Sequence, residues 1–161
     1  MDTERLLRSL KENKVAFLVI GASAFPAYGY ARATLDIDIF IRPDLPNVKR
    51  TMAALGGFGY DLMDLTPKDF LKNKILIRQY TVEADFHPFV RGASFAGVWK
   101  NRIKGRFGKT EVFFPSLDDM IKMKRAAGRA KDREDLKYLR KLKAKMAKTK
   151  APLKARPLKR P

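Results

Sequence analysis

Asp36 and Asp38 stand two residues apart in the run Leu35-Asp36-Ile37-Asp38-Ile39-Phe40-Ile41, a short way after Gly21-Ala22-Ser23. In an extended strand Leu35, Ile37, Ile39 and Ile41 turn to one face, which leaves both carboxylates on the other. Two residues along a strand span about 7 Å, so the pair can converge on a divalent cation. Mg²⁺ suits such a position because it is a hard cation that takes oxygen ligands and keeps phosphate oxygens and waters. The competing reading is a half-exposed strand whose aspartates face water, and a bare Asp-x-Asp does not separate the two.

The elements upstream favour the chemical reading. Lys14 to Ile20 reads as a buried strand running into Gly21, a residue able to take the backbone angles of a tight turn. Ser23 is placed to cap a helix through Ala24, Phe25, Pro26 and Ala27, with Pro26 tolerated in the first turn. Strand, glycine turn and helix start aim backbone N–H groups at one point, the usual way to hold phosphate without charged side chains. Gly21, Ala22 and Ser23 are therefore the candidate nucleotide-binding turn, and Asp36 and Asp38 the candidate metal ligands of a nucleoside triphosphate site.

Gly-Ala-Ser followed by Tyr-Gly-Tyr-Ala-Arg-Ala-Thr-Leu-Asp-Ile-Asp resembles the nucleotidyltransferase superfamily of the DNA polymerase β type. Within it the likeness is to AbiEii-like and related small bacterial and archaeal proteins, and it runs from about Val15 to Leu139. It implies a minimal α/β (α+β) nucleotidyltransferase fold, a mixed β-sheet flanked by helices. It also implies Mg²⁺ or Mn²⁺ as cofactor, an NTP as substrate, and catalytic residues Asp36, Asp38 and a third carboxylate. Arg32, within the matching Arg-x-Thr-x-Asp-Ile-Asp strand, either neutralises phosphate or braces that strand in a salt bridge. The turn departs from a Gly-Ser pattern in placing its serine one residue later, at Ser23.

The third carboxylate falls in Lys74 to His87, a β-prone stretch whose second half alternates with Val82, Ala84 and Phe86 inward. Thr81, Glu83, Asp85 and His87 then share the opposite face. The resemblance assigns the third acidic position to Asp85, as general base or metal ligand, with Glu83 as fallback; a solvated strand face is the alternative. His87 is the single histidine, and with no cysteine in the chain a zinc site lacks ligands.

Ser116 and Asp119 form a capping-box-like helix start, Leu117, Met120, Ile121 and Met123 an apolar stripe, and Gly128 a stop. Asp132 and Asp135 share a face of the next helix. The resemblance makes Lys124 a triphosphate contact and Asp132 a supporting polar group. The plain alternatives are a surface lysine with its stem laid on the protein and acids at a helix N-terminus, the latter favoured for Asp135. Gly108-Lys109-Thr110 ends like a P-loop, but Ile103 stands where that motif needs glycine, so Gly105 and Gly108 read as a hairpin connection. The surrounding Lys100, Arg102, Lys104, Arg106 and Lys109 are a possible nucleic-acid face. Asn47 to Leu55 reads as a helix ended by a Gly56-Gly57 loop, Thr66-Pro67-Lys68-Asp69 as a further helix start, and Met1 to Lys14 as a mixed-charge helix.

The 161 residues suit one domain, placed at 1–145, with a basic tail at 146–161 that reads as disordered from Lys148 onward. Of the net charge of +18, the eleven Lys and Arg after Asp135 supply +11 and the remainder +7. Such a tail suits RNA, tRNA or another polyanion, held through phosphates without sequence readout. No stretch approaches the roughly eighteen apolar residues of a membrane span, and a cytoplasmic protein is expected. The function expected is NMP transfer from an NTP to a hydroxyl of RNA, protein or a small molecule, with a toxin–antitoxin setting as one possibility. The alternative is a catalytically silent protein of the same fold that acts as a regulatory or antitoxin partner, or binds nucleic acid.

Overall fold

The computed structural model describes residues 2–31, 33–79 and 82–154, with the backbone alone for 150–154. Among these residues α1 spans Asp2–Glu12, β1 Phe17–Ile20, β2 Ile37–Ile41, α2 Leu45–Phe58, α3 Pro67–Lys72, β3 Ile75–Gln79 and β4 Val82–His87. They are followed by α4 Phe95–Lys100, β5 Ile103–Phe107, β6 Thr110–Phe114, α5 Leu117–Ala127 and α6 Ala130–Lys154. This is the expected α/β fold, with helices around a mixed sheet.

The sheet runs β1-β2-β4-β3, antiparallel at both outer pairs and parallel between β2 and β4. At its centre Ile37, Ile39 and Ile41 of β2 and Ala84 and Phe86 of β4 are buried on one face, and Phe40 is buried on the other, which also carries Asp38 and Asp85. Leu6, Leu7 and Leu10 recur at helical spacing along α1 and join this core. The β5–β6 hairpin turns at Gly108 (φ +61°), as its sequence indicates, and β6 lies against β1. Gly105 sits inside β5 because a Cβ there would meet the Phe114 ring at 2.7 Å.

Several boundaries differ from the sequence reading. The strand expected from Leu35 begins at Ile37, and Leu35 is 93% exposed, so its apolar side chain does not extend the buried stripe. Lys74 to His87 folds back on itself as the antiparallel β3–β4 pair; Tyr80 and Thr81, between them, lie outside the described residues. Helix α2 starts at Leu45, where Asp44 accepts the Asn47 N–H, and passes through Gly56-Gly57 to end at Gly59 (φ +114°). Two helical glycines cost about 1 kcal/mol each, which the burial of Val48, Ala54 and Leu55 outweighs. The capping signals at Thr66–Asp69 and Ser116–Asp119 are both realised.

Helix α6 carries on to Lys154, through the first part of the expected tail, because lysine, alanine and methionine are good helix formers. Residues 155–161 lie outside the described residues. No helix among the described residues is long and apolar enough to cross a membrane.

Candidate active site

At the end of β1 the backbone enters a short 3₁₀ segment, Gly21–Tyr28, through Gly21 at φ +65°. A Cβ on Gly21 would stand 2.6 Å from Asp38 Oδ2, so glycine is required twice, for the turn and for the close approach of the carboxylate. Ser23 lies inside this segment rather than capping it, since the cap position falls at Ile20. The helix starts as soon as the strand ends, three residues earlier than the serine suggests.

Register brings the acids together. Asp38 is the partner of Ile20 on one side and of Asp85 on the other, so the two carboxylates are neighbours across parallel strands, about 4.8 Å apart in the hydrogen-bonding direction. His87, paired in register with Phe40, places its Nε2 2.7 Å from Asp38 Oδ1. One ligand atom from each of Asp38, Asp85 and His87 lies within 4.8 Å of the others. These residues line a cavity of about 300 Å³, together with Gly21 and Ala22 of the turn, Lys124 of α5, Arg129 of the α5–α6 link and Asp132 of α6.

Asp36 lines the same cavity but is not in that cluster. It precedes β2, in a bend where the two-residue alternation of a strand no longer fixes direction, and its Oδ2 is held by Arg78 Nη2 at 3.2 Å. Thr34 Oγ1 donates to the Asp36 carbonyl at 3.0 Å. Of the expected Asp36, Asp38 and Asp85, the last two stand together with His87, and Asp36 lines the cavity beside them.

Asp85 is 3% exposed and carries two ion pairs, to Arg78 Nη1 at 2.7 Å and to Lys74 Nζ at 2.8 Å. Burial pushes its pKa up, but the two cations outweigh burial and hold it below the ordinary carboxylate value. Glu83, the fallback, is exposed and 3.8 Å from Arg78 Nε, away from the cavity lining.

On the opposite wall Lys124 is buried, with its Nζ 3.0 Å from Asp132 Oδ1 and 3.2 Å from Asp135 Oδ2. The ammonium also stands 5.2 Å from the Phe25 ring centroid. Asp132 accepts the Arg129 backbone N–H at 3.1 Å and pairs with its Nε at 2.7 Å, closing the first turn of α6. Burial raises the Asp132 pKa, yet Arg129 and Lys124 bring it down to about 2. Lys124 is therefore not a surface lysine, and Asp135, fully buried, is a partner in its charge network rather than a solvated acid at a helix start.

Of the residues singled out in the sequence, Gly21, Ala22, Asp36, Asp38, Asp85 and Lys124 meet at the cavity; Ser23 is absent from its lining and Arg32 lies outside the described residues. The sequence reading missed His87, Lys74 and Arg78. His87 had a signal, being two residues beyond Asp85 on the same strand face. Lys74 and Arg78 had none until β3 was paired with β4. In the basic hairpin, Arg102 stacks 4.1 Å over Trp99 and Lys104 faces Glu111 at 3.6 Å, so two of its five cations serve internal contacts.

No curated protein matches the chain. A family model does, over residues 2–142, so most of the fold just described and every residue of the cavity fall within the match. The chain belongs to that family, DUF6036, described as a nucleotidyltransferase of unknown function.

Proposed function

We propose that the cavity binds a nucleoside triphosphate with a divalent cation and transfers its nucleotidyl group to an acceptor hydroxyl. The observation that carries this reading is the apposition of Asp38 and Asp85, across parallel strands, directly against the Gly21 turn. The donor set fits a divalent ion: two carboxylates and one imidazole, with ligand atoms close enough to share it. When bound, such an ion supplies Lewis-acid neutralisation of phosphate charge.

The chain's own contribution is positioning and electrostatics. Gly21 and Ala22 open a 3₁₀ segment whose first N–H groups lack intrahelical partners, and both residues line the cavity. Lys124 and Arg129 add positive charge on the far wall. Asp85, held below the ordinary carboxylate pKa, stays ionised and is a weak proton acceptor, so it serves better as ligand than as general base. The exposed Lys and Arg of α6, among them Lys137, Arg140, Lys141 and Lys143, support a polyanionic acceptor such as RNA.

A second reading, a catalytically silent member that binds a partner, is favoured by one observation: Asp36 and Asp85 are already neutralised by Arg78 and Lys74. Transfer of label from each of four α-labelled NTPs, with Mg²⁺ or Mn²⁺, to tRNA, protein or aminoglycosides tests the two. Label moved by the wild type and lost in Asp38→Asn supports the enzyme. Absence of both transfer and triphosphate binding by calorimetry supports the silent protein.

A further inference from the structure

On the sheet side of the cavity, two acids already hold cations. Arg78 reaches three carboxylates from β3: Asp85 Oδ1 at 2.7 Å, Asp36 Oδ2 at 3.2 Å and Glu83 Oε2 at 3.8 Å. Lys74 takes the other oxygen of Asp85 at 2.8 Å. Asp85 Oδ1 is buried, and the contact it makes is the ion pair with Arg78 Nη1 at 2.7 Å. One carboxylate oxygen of Asp85 lies within 4.8 Å of a ligand atom from each of Asp38 and His87. A buried carboxylate beside two further ligand atoms is a position that a divalent ion can take in place of a guanidinium.

The guanidinium keeps its charge at any ordinary pH, so its opposition to a second cation is permanent. It is also placed to move. Arg78 is 39% exposed on the outermost strand of the sheet, and on leaving Asp85 it retains Asp36 and Glu83 as partners.

We propose that Arg78, assisted by Lys74, is a resident counter-cation that sets the affinity of the Asp38–Asp85–His87 cluster for a divalent ion, which enters by displacing the guanidinium from Asp85. The inference rests on reading this cavity as a metal-dependent nucleotide site. Arg78 acts through Asp85 and is a positioning residue, so the test reads metal binding directly.

Free Mn²⁺ is titrated by electron paramagnetic resonance against the full chain and its Arg78→Gln, Arg78→Lys, Lys74→Gln and Asp38→Asn variants, with circular dichroism to verify the fold. Removing a unit charge a few ångströms from the ion is expected to tighten Mn²⁺ binding at least about tenfold in Arg78→Gln. Lys74→Gln shifts it in the same direction, and Arg78→Lys stays near the wild type because the charge is kept. Unchanged or weaker binding in Arg78→Gln, with binding still lost in Asp38→Asn, overturns the counter-cation role and leaves the metal site standing. Tightening in Arg78→Lys equal to that in Arg78→Gln overturns it as well, since charge is then not the cause. Should Arg78→Gln fail to fold, Lys74→Gln carries the test, and no tightening there overturns the role. Absence of Mn²⁺ binding in every variant, with or without ATP, removes the metal site and this inference together.

Discussion

Two walls of one cavity pair aspartate with basic side chains, and they do so in opposite ways. At the α5–α6 wall Lys124 is 11% exposed against Asp132 at 0% and Asp135 at 1%, a closed cluster. At the sheet wall Asp85 is equally buried at 4%, but its cations are not: Lys74 is 48% exposed and Arg78 39%. Removing one member of a buried cluster strands a charge in a medium that solvates it poorly, whereas a half-exposed cation exchanges its partner for water. The first wall is therefore built to stay as it is, and the second to give up a contact. The same residue types thus do structural work on one side and leave room for a ligand on the other.

The sharpest way to break this contrast is Asp132→Ala, which leaves Lys124 with half its compensation and Arg129 unpaired. A loss of about 3 kcal/mol is expected in urea unfolding, the scale of a broken buried pair. Acid probes the same wall without mutation. Because the Asp132 pKa is lowered to about 2 in the folded chain, the stability it contributes is complete above the unfolded value near 4. It is lost as pH falls from there toward about 2, and an acid-unfolding profile of Asp132→Asn should lack that component.

Gly21→Ala tests the turn that serves the sheet wall. A left-handed alanine costs about 1–2 kcal/mol, and the new methyl would stand 2.6 Å from Asp38 Oδ2. Thermal melting should fall modestly while Mn²⁺ or triphosphate binding is lost. At the small end, Glu134→Gln removes the pair with Lys137, 70% and 72% exposed, and should change unfolding free energy by less than about 0.5 kcal/mol. A loss comparable to that of Asp132→Ala would show that burial does not govern these pairs.

What was legible in the sequence follows the range over which each signal acts. The glycine turn after a buried strand, the Asp38 position and the caps at Thr66 and Ser116 are written in neighbours one to four residues apart, and all are present. The strand expected from Leu35 shows a local rule extended past its element: alternation holds only inside β2, which begins at Ile37. Gly56-Gly57 misled in the converse sense, since packing of α2 overrode a weak propensity. Lys124 was undecided because its burial depends on how α5 and α6 cross, which no spacing within either helix records.

By itself the sequence determined the glycine turn after β1, the strand that presents Asp38 and the strand face shared by Asp85 and His87. Each is a consequence of backbone period and residue type along a few consecutive positions. The tertiary structure alone decided that Asp38 and Asp85 are lateral neighbours, that His87 reaches Asp38, and that Arg78 and Lys74 pair with Asp85. Those contacts are set by strand register and order, β2 beside β4 and β4 beside β3, and register joins residues that lie far apart or across a turn in the chain.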